Sequence, residues 1–400
     1  MSPLVKTTSS DAYPNHLKSD PPAVCKINVI YSNNNMTQPE IGPIPVPSAN
    51  AEVTWSREEK AGADIVLYWN SWTYRPKHLH RNPDALRVLY MYESVVVDPL
   101  VYSGKLWEKF GHILTWNHHL AESCRRFHWF PLVYHDLPFS HGYGVTEESE
   151  VDEASLLQRP RAISQICGDK YSLIPSELYS LRRHVADWFA AHGTLPMYVY
   201  GIPGMKSPNY VGPSADKHAS LSQYRYSLCF ENSYHPTWSQ GWTTEKIFDC
   251  MAAHTVPVYY GDSQIEKRVP PNCFIDYRQF DSLADLDRYL AELSDEDYLD
   301  FVRHARAFLA EHDPRKRYSC NRLYEKLVEI KTGNPPSLDV GNTLPSDYYA
   351  SMTSLNERLR YVGMWVALKY YRFVYPVFFV LRWFRWLTKR LTLQSSKKTT

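Results

Sequence analysis

Short apolar runs rich in β-branched and aromatic residues alternate along this chain with stretches whose apolar positions recur every three or four residues, beginning after a polar leader at 1–24. The runs Cys25–Tyr31, Asp64–Trp69, Leu86–Tyr90, His112–Trp116 and Phe130–Tyr134 predict strands. Strands and helices in alternation build a layered α/β domain on a mainly parallel sheet, here over 25–137. From His141 to Glu153 the chain turns glycine-rich and acidic and loses its period, which predicts an interdomain linker over 138–160.

A second α/β domain is predicted over 161–332. Its strands are Ala162–Gly168, Met197–Gly201, Tyr226–Glu231 and Val256–Tyr260. Ser176 is placed to cap a helix on which Leu178, Leu181, Val185 and Trp188 share a face and Gly193 supplies the stop. Further helices are predicted at 245–253, 282–293, 295–311 and 314–331, and a second linker at 333–353, where Gly333–Pro345 has linker composition.

The tail from 354 to 392 differs in kind. Phe373, Val377, Val380, Phe384, Leu387 and Leu391 fall at spacings of three and four, with Arg382, Arg385 and Lys389 opposite them and Trp365, Trp383 and Trp386 as interfacial aromatics. This predicts a basic amphipathic helix lying on an anionic membrane surface. A membrane span over 361–381 competes with that reading, but Lys369 and Arg372 would sit mid-segment at about 2.5–3.5 kcal/mol each, and Pro376 interrupts the run. An ordinary helix packed on the body is the third reading.

Composition narrows the class. The chain has 400 residues, more than one hydrophobic core normally organises, with 44% hydrophobic and 22% charged residues, which excludes wholesale disorder. A mean hydropathy of −0.44 excludes a polytopic membrane protein. The net charge of +1 conceals an asymmetry: from Ser354 onward there are ten Lys or Arg and one acidic residue, so the tail carries +9 and the rest −8. A mildly acidic body argues against nucleic acid as the main partner, and a basic tail argues for an anionic surface. Seven cysteines with no CxxC pair read as reduced thiols of a cytosolic protein, and the leader shows no secretory h-region.

The candidate chemistry lies in YRYSLCFENSYHPTWSQGWTTEKIFDCMAAHTVPVYYG, from Tyr224 to Gly261, which reads as strand, loop, helix, strand. Such a loop sits at the carboxyl end of a strand, where open α/β sheets bind ligands. Thr243 or Thr244 is placed to cap the helix, whose first-turn N–H groups then offer an anion site. Lys246 lies in that turn, where a cation opposes the helix dipole; a bound phosphate would remove the conflict. Glu245 beside it has two acceptor oxygens suited to a cis-diol such as a ribose. Nucleotide sugars contain both groups, although solvated charges near a helix start would look the same.

FENS, TEKIFDC and VPVYYGD in this order, with LSQYRYSLCFEN before them and FIDYRQF after them, resemble the donor-binding signature of the α1,3-fucosyltransferases, glycosyltransferase family ten, bacterial type. The resemblance covers roughly 160–310 well and the N-terminal half weakly. It implies a GT-B architecture, two Rossmann-like domains facing across a cleft, with the acceptor on the first and GDP-fucose on the second, and inversion at the anomeric carbon. It also implies donor-binding roles: Glu245 on the sugar hydroxyls, Lys246 on the diphosphate, Asn232 as a donor contact, and Arg182 on a phosphate in SLRRHVADWF, with Arg183 as the alternative register. LRVLYMYES resembles the segment in which a strand ends in the general base, here Glu93. Displacement at the fucose anomeric carbon needs a carboxylate to take the acceptor hydroxyl's proton while GDP leaves from the opposite face; a satisfied structural carboxylate is the other reading of Glu93. Between Asn232 and Thr244 the chain carries about four more residues than the common pattern, and Trp242 stands where relatives tend to have tyrosine, so Trp242 is expected at the donor as a stacking group.

No DxD-type acidic pair adjoins a strand end in the donor domain, and the neighbours His118 and His119 do not aim both rings at one ion. Catalysis without metal or cofactor is the expectation, with Arg182, Lys246 and the helix start neutralising the leaving diphosphate. Together these observations lead to a cytoplasmic, peripherally membrane-bound, inverting transferase. It would move fucose from GDP-fucose to a glycan hydroxyl, O3 of GlcNAc or glucose. A GT-B transferase for another nucleotide sugar, or a membrane-associated glycan-binding protein without turnover, are the alternatives.

Overall fold

The computed structural model describes residues 23–31, 40–74, 82–138, 152–202, 205–333, 340–352, 358–359 and 362. The N-terminal sheet is built from β1 (Cys25–Ile30), β2 (Glu40–Val46), β3 (Ala51–Ser56), β4 (Ile65–Trp69), β5 (Leu86–Met91), β6 (His112–Thr115) and β7 (Phe127–Trp129), in the order β2-β3-β1-β4-β5-β6-β7. The second sheet holds β8 (Ile163–Ile166), β9 (Met197–Tyr200), β10 (Tyr210–Gly212), β11 (Tyr226–Phe230), β12 (Val256–Tyr260) and β13 (Ile275–Asp276), ordered β10-β9-β8-β11-β12-β13. All pairs are parallel except β2 with β3. The central strands are buried on both faces, as the unbroken apolar runs of β4, β11 and β12 require.

In the second sheet the chain works outward from β8 in one direction through β9 to β10 and in the other through β11 to β13. Between β8 and β11 the strand order reverses, and the crevice above their carboxyl ends is where this topology places ligands. Five longer helices shape the surroundings: α1 (Tyr179–His192), α2 (Glu245–Ala252), α3 (Leu283–Glu292), α4 (Asp295–Glu311) and α5 (Cys320–Lys331). No helix among the described residues is long and apolar enough to cross a membrane.

Several expectations are corrected. The predicted strand Phe130–Tyr134 is irregular; β7 lies earlier, Pro131 has no N–H to pair, and the N–H groups of Tyr134 and His135 both donate to the Tyr318 carbonyl at 3.2 Å. Ser176 does not cap α1, which starts at Tyr179, and its hydroxyl pairs with that of Tyr348 at 3.1 Å. The stretch 314–331 is broken at 318–319, and α5 leaves the second domain. Its Cys320, Leu323, Tyr324, Leu327 and Ile330 join Trp55, Trp69 and Tyr90 in one apolar cluster, and Trp55 Nε1 donates to the Tyr324 hydroxyl at 2.9 Å. α5, predicted as part of the second domain, thus packs on the sheet of the first. Part of the predicted 333–353 linker is also tied down: Arg125 donates to the Val340 carbonyl at 2.7 Å, and Tyr348 is buried beside Tyr102 and Trp238. In the predicted 138–160 linker a short helix, Glu153–Leu157, stands among the described residues. The tail predicted over 354–392 lies outside the described residues apart from 358, 359 and 362. All seven cysteines are free thiols.

Candidate active site

The first turn of α2 follows the loop that leaves β11. Thr244 is the cap: its hydroxyl oxygen accepts from the Lys246 N–H at 3.4 Å, while the Thr243 hydroxyl donates to Asp262 at 2.8 Å. The cation opposing the helix dipole is compensated from within the protein. Glu231, fully buried at the end of β11, accepts from the Thr244 N–H, from its hydroxyl and from Lys246 Nζ, each at 2.8 Å. Burial works against the Lys246 charge, yet the Glu231 and Glu245 carboxylates more than offset it and raise its pKa. Phosphate is thus not needed to resolve the conflict that the sequence presents.

Glu245 sits beside Lys246 with its side chain 21% exposed, 3.5 Å from Lys217 Nζ. Burial pushes its carboxyl up, but Lys246 and Lys217 outweigh it and hold the group well below the ordinary carboxylate range. Lys217 also pairs with Asp249, one turn further along α2. Acids and bases therefore alternate across the crevice, and Glu245 is kept ionised, an acceptor for hydroxyl hydrogens.

Arg182 of α1 is 6% exposed and points into this region. Its Nη2 donates to the Phe230 carbonyl at 2.5 Å and to Asn232 Oδ1 at 3.2 Å. Arg183 turns away, donating to the Lys170 carbonyl at 2.6 Å and lying 4.0 Å over the Tyr171 ring. Of the two registers left open by the sequence, Arg182 is the one placed with Asn232.

Glu93 enters from the other domain, just beyond β5. Asn70, buried at the end of β4 with φ +68°, accepts from the N–H groups of both Tyr92 and Glu93 at 3.0 Å and so fixes the backbone carrying the carboxylate. The Tyr102 hydroxyl donates to the Glu93 carbonyl at 3.0 Å. The Glu93 carboxylate has no hydrogen-bond partner among the described residues. Burial raises its pKa to about 7, against the pull of Lys170 and Lys246 and with a further push from Asp98 and Glu245. The carboxyl thus lies near neutrality, within the electrostatic reach of Glu245 and Lys246.

Residues 179–329 match the family model described as Glycosyltransferase family 10 (fucosyltransferase) C-term. This segment is similar to the C-terminal domain of family 10 glycosyltransferases. Over 78 residues the chain is 40% identical to an alpha-(1,3)-fucosyltransferase of Helicobacter pylori, covering 19% of this chain and 16% of that one. Over 97 residues it is 38% identical to a human 4-galactosyl-N-acetylglucosaminide 3-alpha-L-fucosyltransferase, covering 24% and 26% respectively. The chain thus aligns with about a quarter or less of the length of these relatives. A solved alpha1,3-fucosyltransferase superposes on 86% of this chain and 96% of its own at 17% identity, with a TM-score of 0.50. The fold is therefore GT-B, and it takes in the N-terminal domain as well as the segment that matches the family 10 model.

Within the segment that matches the family 10 model, Trp242 packs against the N-terminal domain. It is 2% exposed, its ring lies 4.8 Å from that of Trp116 in the N-terminal domain, and its indole N–H has no partner among the described residues. The loop of extra length before α2 serves the same contact: Asn117 Nδ2 donates to the Trp238 carbonyl and the His118 N–H to that of Gln240, both at 3.0 Å. Gly241 adopts φ +100°, and a Cβ there would collide with the Trp116 carbonyl oxygen, so only glycine permits the approach. His118 faces Arg268 at 3.2 Å and His119 packs on Trp238, so both histidines belong to this contact.

Sequence reasoning missed Glu231, Lys217 and Asn70. Glu231 left a signal, since a lysine in a helix's first turn calls for a nearby carboxylate and FEN supplies one. Lys217 and Asn70 act through contacts 32 and 22–23 residues away, which no local pattern announces.

Proposed function

We propose that this chain is an inverting fucosyltransferase that transfers L-fucose from GDP-fucose to a glycan hydroxyl, O3 of GlcNAc or glucose. The observation that supports the reading is that Arg182, Asn232, Glu245 and Lys246 all lie in the segment that matches the family 10 model, on elements that flank the reversal of strand order in the second sheet. In this mechanism Lys246, Arg182 and the α2 N-terminus hold the diphosphate, and Glu245 accepts hydrogen bonds from donor hydroxyls. Glu93 removes the proton from the acceptor hydroxyl as its oxygen attacks the anomeric carbon, and the carbon–oxygen bond to GDP breaks on the opposite face. Fixed cationic and N–H donors then receive the charge of the leaving diphosphate, and no step is assigned to a metal. The test is an acceptor array with labelled GDP-fucose, scored for transfer and for the linkage formed. Label on a GlcNAc- or glucose-containing acceptor in α1,3 linkage is the expected result; label delivered from a UDP-sugar instead would replace the fucosyl reading.

The basic amphipathic pattern of 354–392 supports peripheral attachment to an anionic membrane, which would hold the cleft near surface-bound acceptors. Deleting 354–400 is expected to abolish co-sedimentation with phosphatidylglycerol vesicles while sparing transfer to a water-soluble acceptor. Undiminished sedimentation of the truncated chain would refute the attachment.

A further inference from the structure

The cations expected to meet the diphosphate are largely engaged by the protein's own acceptors. Lys246 is bonded to Glu231, Lys217 to Asp249 and Glu245, and Arg182 to the Phe230 carbonyl and Asn232. Three carboxylates, Glu231, Glu245 and Asp249, thus face three cations. A nucleoside diphosphate sugar adds negative charge that this balanced group leaves uncompensated, and the charge grows as the sugar departs.

We propose that Lys170 is a further donor-binding residue, whose ammonium group meets the diphosphate of the bound nucleotide sugar from the β8 side of the crevice, across from Lys246. This rests on the reading of the cleft as a GDP-fucose site and adds a residue to it. Lys170 lies in the loop that leaves β8, one of the two strands flanking the reversal of strand order. Its N–H donates to the Gly168 carbonyl at 3.0 Å, which turns the chain back on the strand end. The side chain then runs along Gly168: a Cβ at that glycine would meet Lys170 Cγ and Cε at 3.6 Å and Cδ at 4.0 Å. Arg183 fixes this arrangement from behind, through its bond to the Lys170 carbonyl and its stacking on Tyr171. The second arginine of SLRRHVADWF therefore acts by positioning the Lys170 loop.

The ammonium group itself has no hydrogen bond or ion pair among the described residues, and the residue is exposed. Unlike Lys246 and Arg182, it is bonded to no acceptor of the protein among the described residues. Its field reaches across the cleft, since Lys170 is the foremost charge favouring the ionised form of Glu93.

Isothermal titration of the full chain with GDP and with guanosine tests the assignment. Because an exposed lysine contributes little to folding, Lys170→Met is expected to keep the thermal midpoint of the wild type. It should weaken GDP binding by about tenfold or more, the worth of one charged hydrogen bond, leave guanosine binding unchanged, and make GDP affinity less dependent on salt. Lys170→Arg should restore most of the loss. Equal GDP affinity in Lys170→Met and wild type would overturn the role, and it would do so equally if the variant only moved the pH dependence of Glu93. Failure of the wild type to bind GDP at all would overturn the proposed function, and this role with it.

Discussion

Replacing Glu93 with glutamine is expected to lower the transfer rate by about 10²–10⁴-fold, the usual worth of a positioned general base, with little change in GDP affinity. Glutamine keeps the size and polarity of the side chain and the backbone bonds to Asn70 and Tyr102, so it removes only the capacity to accept a proton. The same group sets the expected pH dependence. The base must be deprotonated, and burial places its pKa at about 7. The rate should be flat above that pH and fall roughly tenfold per unit below it. Lys170 and Lys246 oppose the shift, while Asp98 and Glu245 add to it, and a bound diphosphate would push the limb higher still. Steady-state kinetics from pH 5 to 9, with saturating GDP-fucose and a fixed acceptor, read both effects. Glu93→Gln turning over like the wild type, or a pH profile without that acid limb, would remove Glu93 from the mechanism.

The second large effect concerns a residue that touches no substrate in this mechanism. Glu231→Ala deletes the acceptor for the Thr244 N–H, the Thr244 hydroxyl and Lys246 Nζ at once, in a fully buried position. Breaking a buried pair from one side leaves an uncompensated charge and costs about 3–5 kcal/mol. Lys246 would also lose the contact that orients it, so donor binding should weaken together with stability. Urea unfolding followed by circular dichroism measures the first and GDP titration the second. Glu231→Gln, which keeps an acceptor for Thr244, should lie between alanine and wild type. If the alanine variant unfolds within about 0.5 kcal/mol of wild type, as surface substitutions do, the carboxylate is not what holds the start of α2.

How much of this was legible in the sequence follows from the range of the interactions. The buried parallel strands β1, β4, β5, β8, β11 and β12 could be read because their own apolar runs specify them, and α2 could be read because its cap and period are local. The short outer strands β10 and β13 and the proline-bearing β2 carry too little pattern to register. The return of α5 to the first domain is decided by the surface around Trp55 and Trp69, nearly 270 residues earlier, which periodicity cannot show. The same division holds in the site. Glu245 and Lys246 were visible as neighbours in one turn, whereas Lys217 and Asn70 act through distant contacts. The contact of Trp242 with Trp116 was not legible, because it depends on the close approach of Gly241 to a residue more than a hundred positions earlier.

The most direct test of the donor assignment is titration of the full chain with GDP-fucose, GDP-mannose and UDP-GlcNAc, alongside the Glu245→Ala variant. Tightest binding of GDP-fucose is expected, with the alanine variant losing its preference for GDP-fucose over GDP; tighter binding of UDP-GlcNAc, or a variant that discriminates like the wild type, would contradict it.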